Sequence, residues 1–221
     1  MALTRHWKLD DNAASTVVVA TAGSDGALEG GDNTADKAAA GPGGTITAAL
    51  DLNGTDDGIS VSLASVASGT AASWSIWLNL DAAPVFSPLF GVATNSQNNS
   101  IRITSDTEIT VRPGATSSAF VVPSLGTTDW HHLLVTKTAG DSWRVFIDGT
   151  ESVTGALANT ATMAATRIGR TATAFFDGSL AQAKVFDSDE SANVATLYAE
   201  GVASGVSIPI AAYHLNHHLR A

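Results

Sequence analysis

Short stretches in which apolar and polar residues alternate with a period of two recur along most of the chain. In Ser73–Leu80, Trp74, Ile76, Leu78 and Leu80 fall on one face and Ser73, Ser75, Trp77 and Asn79 on the other, as a pleated strand requires. The same reading gives strands at Arg5–Leu9, Thr45–Leu52, Gly58–Leu63, Leu89–Ala93, Ser100–Ser105, Glu108–Arg112 and Ala119–Val122. Further strands follow at Trp130–Lys137, Ser142–Asp148, Ala164–Ile168 and Ser179–Phe186. Strands this short and numerous, with turn residues between them, predict a sandwich or jelly roll. In Trp130–Lys137 both faces are largely apolar, which predicts a central strand covered on both sides. Ala139-Gly140-Asp141 reads as the Gly turn of a hairpin, and Asp148-Gly149 as a second turn.

Two segments break the pattern. Asp10–Gly44 is rich in Gly, Ala, Asp and Asn with little periodicity outside Thr16–Ala20, and reads mostly as a long surface loop. Near the C-terminus, Ser188-Asp189-Glu190 opens a helix with acidic residues in its first turn. Val194, Leu197 and Tyr198 follow at helical spacing, and Gly201 stands where a left-handed C′ residue is expected. The expectation is therefore an all-β fold, an antiparallel β-sandwich jelly roll over residues 1–204 with one short C-terminal helix. Residues 205–221 form a tail with a strand-like Ile208–Leu215, a candidate for pairing with a neighbour.

Composition narrows the function classes. A single chain of 221 residues buries roughly 70% of its unfolded surface, enough for one core. There is no cysteine, so neither disulfides nor thiolate metal sites contribute. The net charge is −10 and only 11 residues are Lys or Arg, with no basic stripe, which disfavours nucleic acid as a partner. The start MALTRHWKLDD has no apolar h-region and no run reaches membrane-spanning length, so no membrane span is expected, and either a signal has been removed or, as Met1 favours, the protein is not exported through a signal peptide.

An ordered set of segments resembles the laminin G-like modules of the concanavalin A-like superfamily. It comprises His6–Asp10, the acidic stretch Ala49–Asp57, Ser73–Trp77, Trp130–Gly149, Arg167–Arg170, Phe176–Leu180 and the helix with Leu197-Tyr198. The resemblance implies a concanavalin A-like jelly roll, with the His131-His132 pair structural. Relatives with a calcium site place a carboxylate where this chain has Ala181. The acidic loop Asp51–Asp57 still offers oxygens to a hard cation such as calcium, with Asp56 and Asp57 as its candidate ligands. The alternative is that Asp51, Asn53 and Asp56 build Asx turns around Gly54.

Other chemistry is sparse. Asp106 and Glu108 are an i, i+2 acidic pair near a strand, and they sit at a turn without a third carboxylate, so no glycosidase dyad is expected. His131 and His132 are adjacent on a strand and point to opposite faces. No nucleophile elbow or phosphate loop is present. His214, His217 and His218 cluster in the tail. Trp77, Phe86, Phe90, Phe120, Phe175 and Phe176 are candidates for a sugar-stacking platform or, alternatively, core. The expectation is a non-catalytic, cofactor-free surface module for structure or adhesion, such as a phage capsid decoration or appendage protein on a virion surface. Its partners would be neighbouring subunits of an oligomer or larger assembly, with Trp77, Tyr213, His214 and His217 as contact residues. The alternative is a carbohydrate-binding module for glycans, calcium-dependent or not, acting outside the cell or at its surface.

Overall fold

The computed structural model describes residues 2–94, 98–152 and 157–202. The strands in chain order are Leu3–Trp7 (β1), Val17–Val18 (β2), Ala20–Ala22 (β3), Gly26–Glu29 (β4), Ala38–Gly43 (β5) and Ile46–Asn53 (β6). Next come Gly58–Ser60 (β7), Ala72–Leu80 (β8), Ser87–Gly91 (β9), Ser100–Ser105 (β10), Glu108–Arg112 (β11) and Ser118–Val121 (β12). The last are His131–Lys137 (β13), Ser142–Ile147 (β14), Thr150–Glu151 (β15), Leu157–Ala158 (β16), Arg167–Ile168 (β17) and Asp177–Phe186 (β18). A 3-10 turn, Ser191–Asn193, leads into the helix Val194–Ala199 (α1).

Two antiparallel sheets pack face to face. The first runs β15-β14-β13-β8-β18-β1-β3, with β6 also on β18, β5 on β6, and β16 on β14. The second runs β12-β11-β10-β9-β17-β7-β4-β2. This is the expected jelly-roll sandwich. The core between the sheets takes Trp74, Ile76, Leu78 and Leu80 from β8, as the alternation predicts, and Leu133 and Val135 from β13. Opposite them stand Ile101, Ile103, Ile109, Val111, Phe90 and Ile168. Trp74 and Trp143 stack across β13 with centroids 5.4 Å apart, a geometry that adds about 1 kcal/mol to their burial.

β18 organises the first sheet. One side pairs with β8 along its length; the other pairs with β6 through Asp177–Leu180 and with β1 through Ala183–Phe186. The register shifts between Ala181 and Lys184, and Gln182 there has φ 52°. The bulge resets the alternation, so that Leu180, Ala183 and Val185 all enter the core while Lys184 points outward to pair with Glu200.

Three expectations are corrected. Asp10–Gly44 is not one long loop: four short strands interrupt it, β2 and β4 extending the second sheet and β3 and β5 the first. Their Ala- and Gly-rich strands bury too few large side chains to show a period. The hairpin turn takes its left-handed residue from Asp141 (φ 60°) and not from Gly140, whereas Asp148 (φ 51°) and Gly149 (φ 80°) both have positive φ, as a tight primed turn needs. Finally, α1 begins at Val194 rather than at Ser188. Glu190 is buried instead, where its carboxylate accepts from Ser188 Oγ (2.5 Å) and Asn193 Nδ2 (2.6 Å). Gly201 does not adopt positive φ. It is required because a Cβ there would lie 2.4 Å from the Trp77 ring.

Candidate functional site

The two outer faces of the sandwich differ. On the first sheet, α1 lies across the strands. Leu197 and Val194 pack on Leu134, Phe146 and Phe186, and Tyr198 stacks on Trp77 at 5.6 Å. Trp77 is therefore 3% exposed, so the expectation of a contact or stacking role for it is overturned: its indole is the floor under the C-terminal segment. His132 sits beside it, fully buried, with Nε2 2.8 Å from Ser75 Oγ. Burial pushes its pKa down to about 3, so the ring is neutral. His131 lies on the opposite face and bonds Asp148 Oδ2 at 2.7 Å. Burial alone would lower its pKa, but the Asp148 carboxylate more than offsets this and raises it. Both rings are thus held by partners within the fold, Ser75 and Asp148.

The acidic loop is an Asx turn. Asn53 Oδ1 accepts the backbone N–H groups of Thr55 (2.9 Å) and Asp56 (3.1 Å), with Gly54 at φ 67°. Asp56 is exposed and accepts from Asn53 Nδ2. Asp57 is fully buried, with Oδ2 2.6 Å from Lys37 Nζ and 2.9 Å from the Asn53 N–H. Burial by itself would lower the Lys37 pKa, yet its bonds to Asp57 and Asp32 hold it above its ordinary value. The two expected metal ligands thus do not converge: one carboxylate faces water and the other is neutralised by a lysine. Ala181, at the position of the calcium-binding carboxylate in related modules, is buried beside Trp77. The residues present do not fit a calcium ion at either place.

The outer face of the second sheet has no helix on it among the described residues. Register places Val17, Ala27, Glu29, Ser60, Arg167, Pro88, Ser100, Arg102, Thr104, Glu108, Thr110, Arg112, Ala119 and Val121 on this side. Ala27, Ser60, Ala119 and Val121 are exposed. Two half-buried phenylalanines each lie under a guanidinium: Arg102 over Phe86 at 4.1 Å, and Arg170 over Phe175 at 4.7 Å. Glu29 receives Arg167 at 2.8 Å and Arg170 at 3.4 Å, and Arg170 also donates to the Asp56 carbonyl at 2.6 Å. Of the proposed aromatic platform, Phe90, Phe120 and Phe176 are core, leaving Phe86 and Phe175. The arginines went unnoticed in the sequence. The signal was there in Ile101-Arg102-Ile103 and Ile109-Thr110-Val111-Arg112, where alternation puts guanidinium groups on the face opposite the isoleucines.

The other candidates are quickly placed. Asp106 is exposed at the β10–β11 turn and accepts from Ser124 Oγ, a solvated hairpin end. A cleft of about 270 Å³ lies beside β12, lined by Val121, Val122, Pro123, Ile147, Thr150, Glu151 and Ser152. Its walls are mainly apolar, and the Glu151 carboxylate on its rim is paired with Arg144. Tyr213, His214 and His217, like the rest of the tail, lie outside the described residues.

A family model described as the concanavalin A-like lectin/glucanases superfamily matches residues 53–207. No curated protein matches the sequence. Among solved structures, domain 4 of AbnA, an extracellular arabinanase from Geobacillus stearothermophilus in complex with arabinotriose, is 20% identical with a TM-score of 0.59; the match covers 89% of this chain and 98% of that one. A mutant Trypanosoma rangeli sialidase with trans-sialidase activity is 14% identical (TM-score 0.60), covering 89% of this chain and 32% of that one. A structure of botulinum neurotoxin type C, whose cell entry depends on two ganglioside molecules, is 15% identical (TM-score 0.58), covering 91% of this chain and 51% of that one. The chain thus spans a whole arabinanase domain but only a third to a half of the other two. Identities this low establish a shared fold.

Proposed function

The chain belongs to the concanavalin A-like lectin/glucanase superfamily, and from that premise we propose that it is a non-catalytic carbohydrate-binding module. The observation that carries this reading is the division between the two outer faces. One is covered at its centre by α1 over Trp77, Leu134 and Phe146 and carries a single aromatic–guanidinium pair, Arg144 over Phe146. The other presents two aromatic–guanidinium pairs, hydroxyls and a carboxylate on one rigid sheet. Sugars are recognised by such mixtures: ring faces take the apolar side of a pyranose or furanose, and fixed polar groups take its hydroxyls. The solved structures similar to this chain include one in complex with arabinotriose, which supports the same reading. We prefer it to the expectation of a virion decoration protein, which rested on low charge, the lack of an apolar leader and a strand-like tail.

A glycan array and affinity gel electrophoresis, each with and without EDTA, test the proposal. Retention by at least one saccharide at about millimolar concentration or below, unaffected by EDTA, is the expected result. No retention by any saccharide at that concentration would overturn it.

A further inference from the structure

We propose that Arg102 is the anion-recognising element of this face and that the glycan it selects carries a carboxylate-bearing sugar. The inference rests on the carbohydrate-binding reading above and names its ligand class. Arg102 is 7% exposed. Its Nη1 has one long bond, 3.4 Å to Ser100 Oγ, and its Nε is shielded from water with no partner. No carboxylate lies within ion-pair distance of it among the described residues, in a chain of net charge −10. The two other cations buried as deeply are matched, Lys137 to Asp141 and Lys184 to Glu200. Arg102 stands apart from that rule.

Its surroundings sharpen the contrast. Arg112 lies on the same face, diagonal to Arg102 across the β10–β11 ladder. Burial chiefly, and then Arg112, lower the Arg102 pKa, while Glu108 on the same face acts in the opposite sense. The guanidinium nonetheless stays charged. A buried, uncompensated charge is unfavourable unless a counter-charge arrives. A planar fork held against Phe86 is preorganised for a carboxylate, the group that a sugar acid brings.

Affinity gel electrophoresis of the full chain against matched pairs decides the matter: polygalacturonate and its methyl ester, sialyllactose and lactose, glucuronoxylan and xylan. In at least one pair the acidic member is expected to bind on the order of tenfold more tightly, and Arg102→Met to remove that difference, so that the acidic and neutral members bind the variant alike. Removing an unpaired buried charge should also leave Tm unchanged or raised, whereas a merely structural arginine would lower it. Neutral and acidic members binding equally overturns the proposal and leaves the carbohydrate reading standing. Sulfate displacing the acidic glycan as well as galacturonate does also overturns it. No saccharide of either kind binding overturns both.

Discussion

Lys137 ends a core strand, yet its side chain is fully buried. Its ammonium donates to the Ala67 carbonyl (3.1 Å), the Thr70 carbonyl (2.7 Å) and Asp141 Oδ1 (2.5 Å). Asp141 in turn accepts from Ser68 Oγ and the Gly69 N–H. The pair fastens the loop before β8 to the β13–β14 hairpin. Breaking a buried pair from one side leaves the other charge stranded, so Lys137→Met should cost about 3 kcal/mol in urea unfolding. Hydrogen bonds from Lys137, then from Ser68, hold the Asp141 pKa down to about 2. A depressed acid stabilises the fold above its unfolded pKa of about 4 and loses that contribution as pH falls toward about 2. Wild type should therefore exceed Asp141→Asn in stability at pH 6, and the gap should close between about pH 4 and pH 2 in thermal melts. A constant gap across that range would contradict the assignment. Asn tolerates the positive φ at this position, so the substitution isolates the charge. None of this was legible in the sequence: a lysine after an apolar strand reads as solvent-facing until the loop that covers it is placed.

Most elements were legible because half-buried strands announce themselves by alternation. Ser100–Ser105 and Glu108–Arg112 emerge with their read boundaries unchanged. The failures share a physical cause, namely that the information lies in partners far along the chain. β5 is AAAGPG, and only its partner β6 makes it a strand. The Gln182 bulge is invisible to a period-two reading of Ser179–Phe186, which would turn Lys184 into the core. The helix was found by its apolar spacing, but the role of Gly201 was mistaken, since close approach to an indole leaves no mark on local sequence. Gly201→Ala should push the C-terminal segment off Trp77 and lower stability by about 1–3 kcal/mol. Acrylamide quenching of tryptophan fluorescence should rise with it. Unchanged quenching would mean that the cover tolerates the methyl group.

The sandwich as a whole depends on residues well before the family match at 53–207. β1 supplies Trp7, which is fully buried, and fills half of one side of β18. β4 joins β7 in the second sheet. A chain beginning at Asn53 would leave β18 an open edge and the core without Trp7, Leu9, Leu28, Leu50 and Leu52. It should show no cooperative thermal transition, and a sharp one would show that the first 52 residues are dispensable. The site was less legible than the fold. Sequence pattern pointed to the acidic loop, Trp77 and the tail, because carboxylates, indoles and histidines attract notice. The arginines of the second sheet gain meaning only once register sets them side by side and burial shows which has no carboxylate.

The antiparallel pairing of β1 with β18 sets Leu3 opposite Phe186, and the Asp187 N–H donates to the Ala2 carbonyl at 3.2 Å. Both strands therefore leave the sheet at the same end. Tension applied between the two ends of the module would first peel α1 and then open this ladder like a zipper, one rung at a time, rather than shear all its rungs at once. A module built this way is expected to yield at low force when tethered at both ends in a single-molecule pulling measurement.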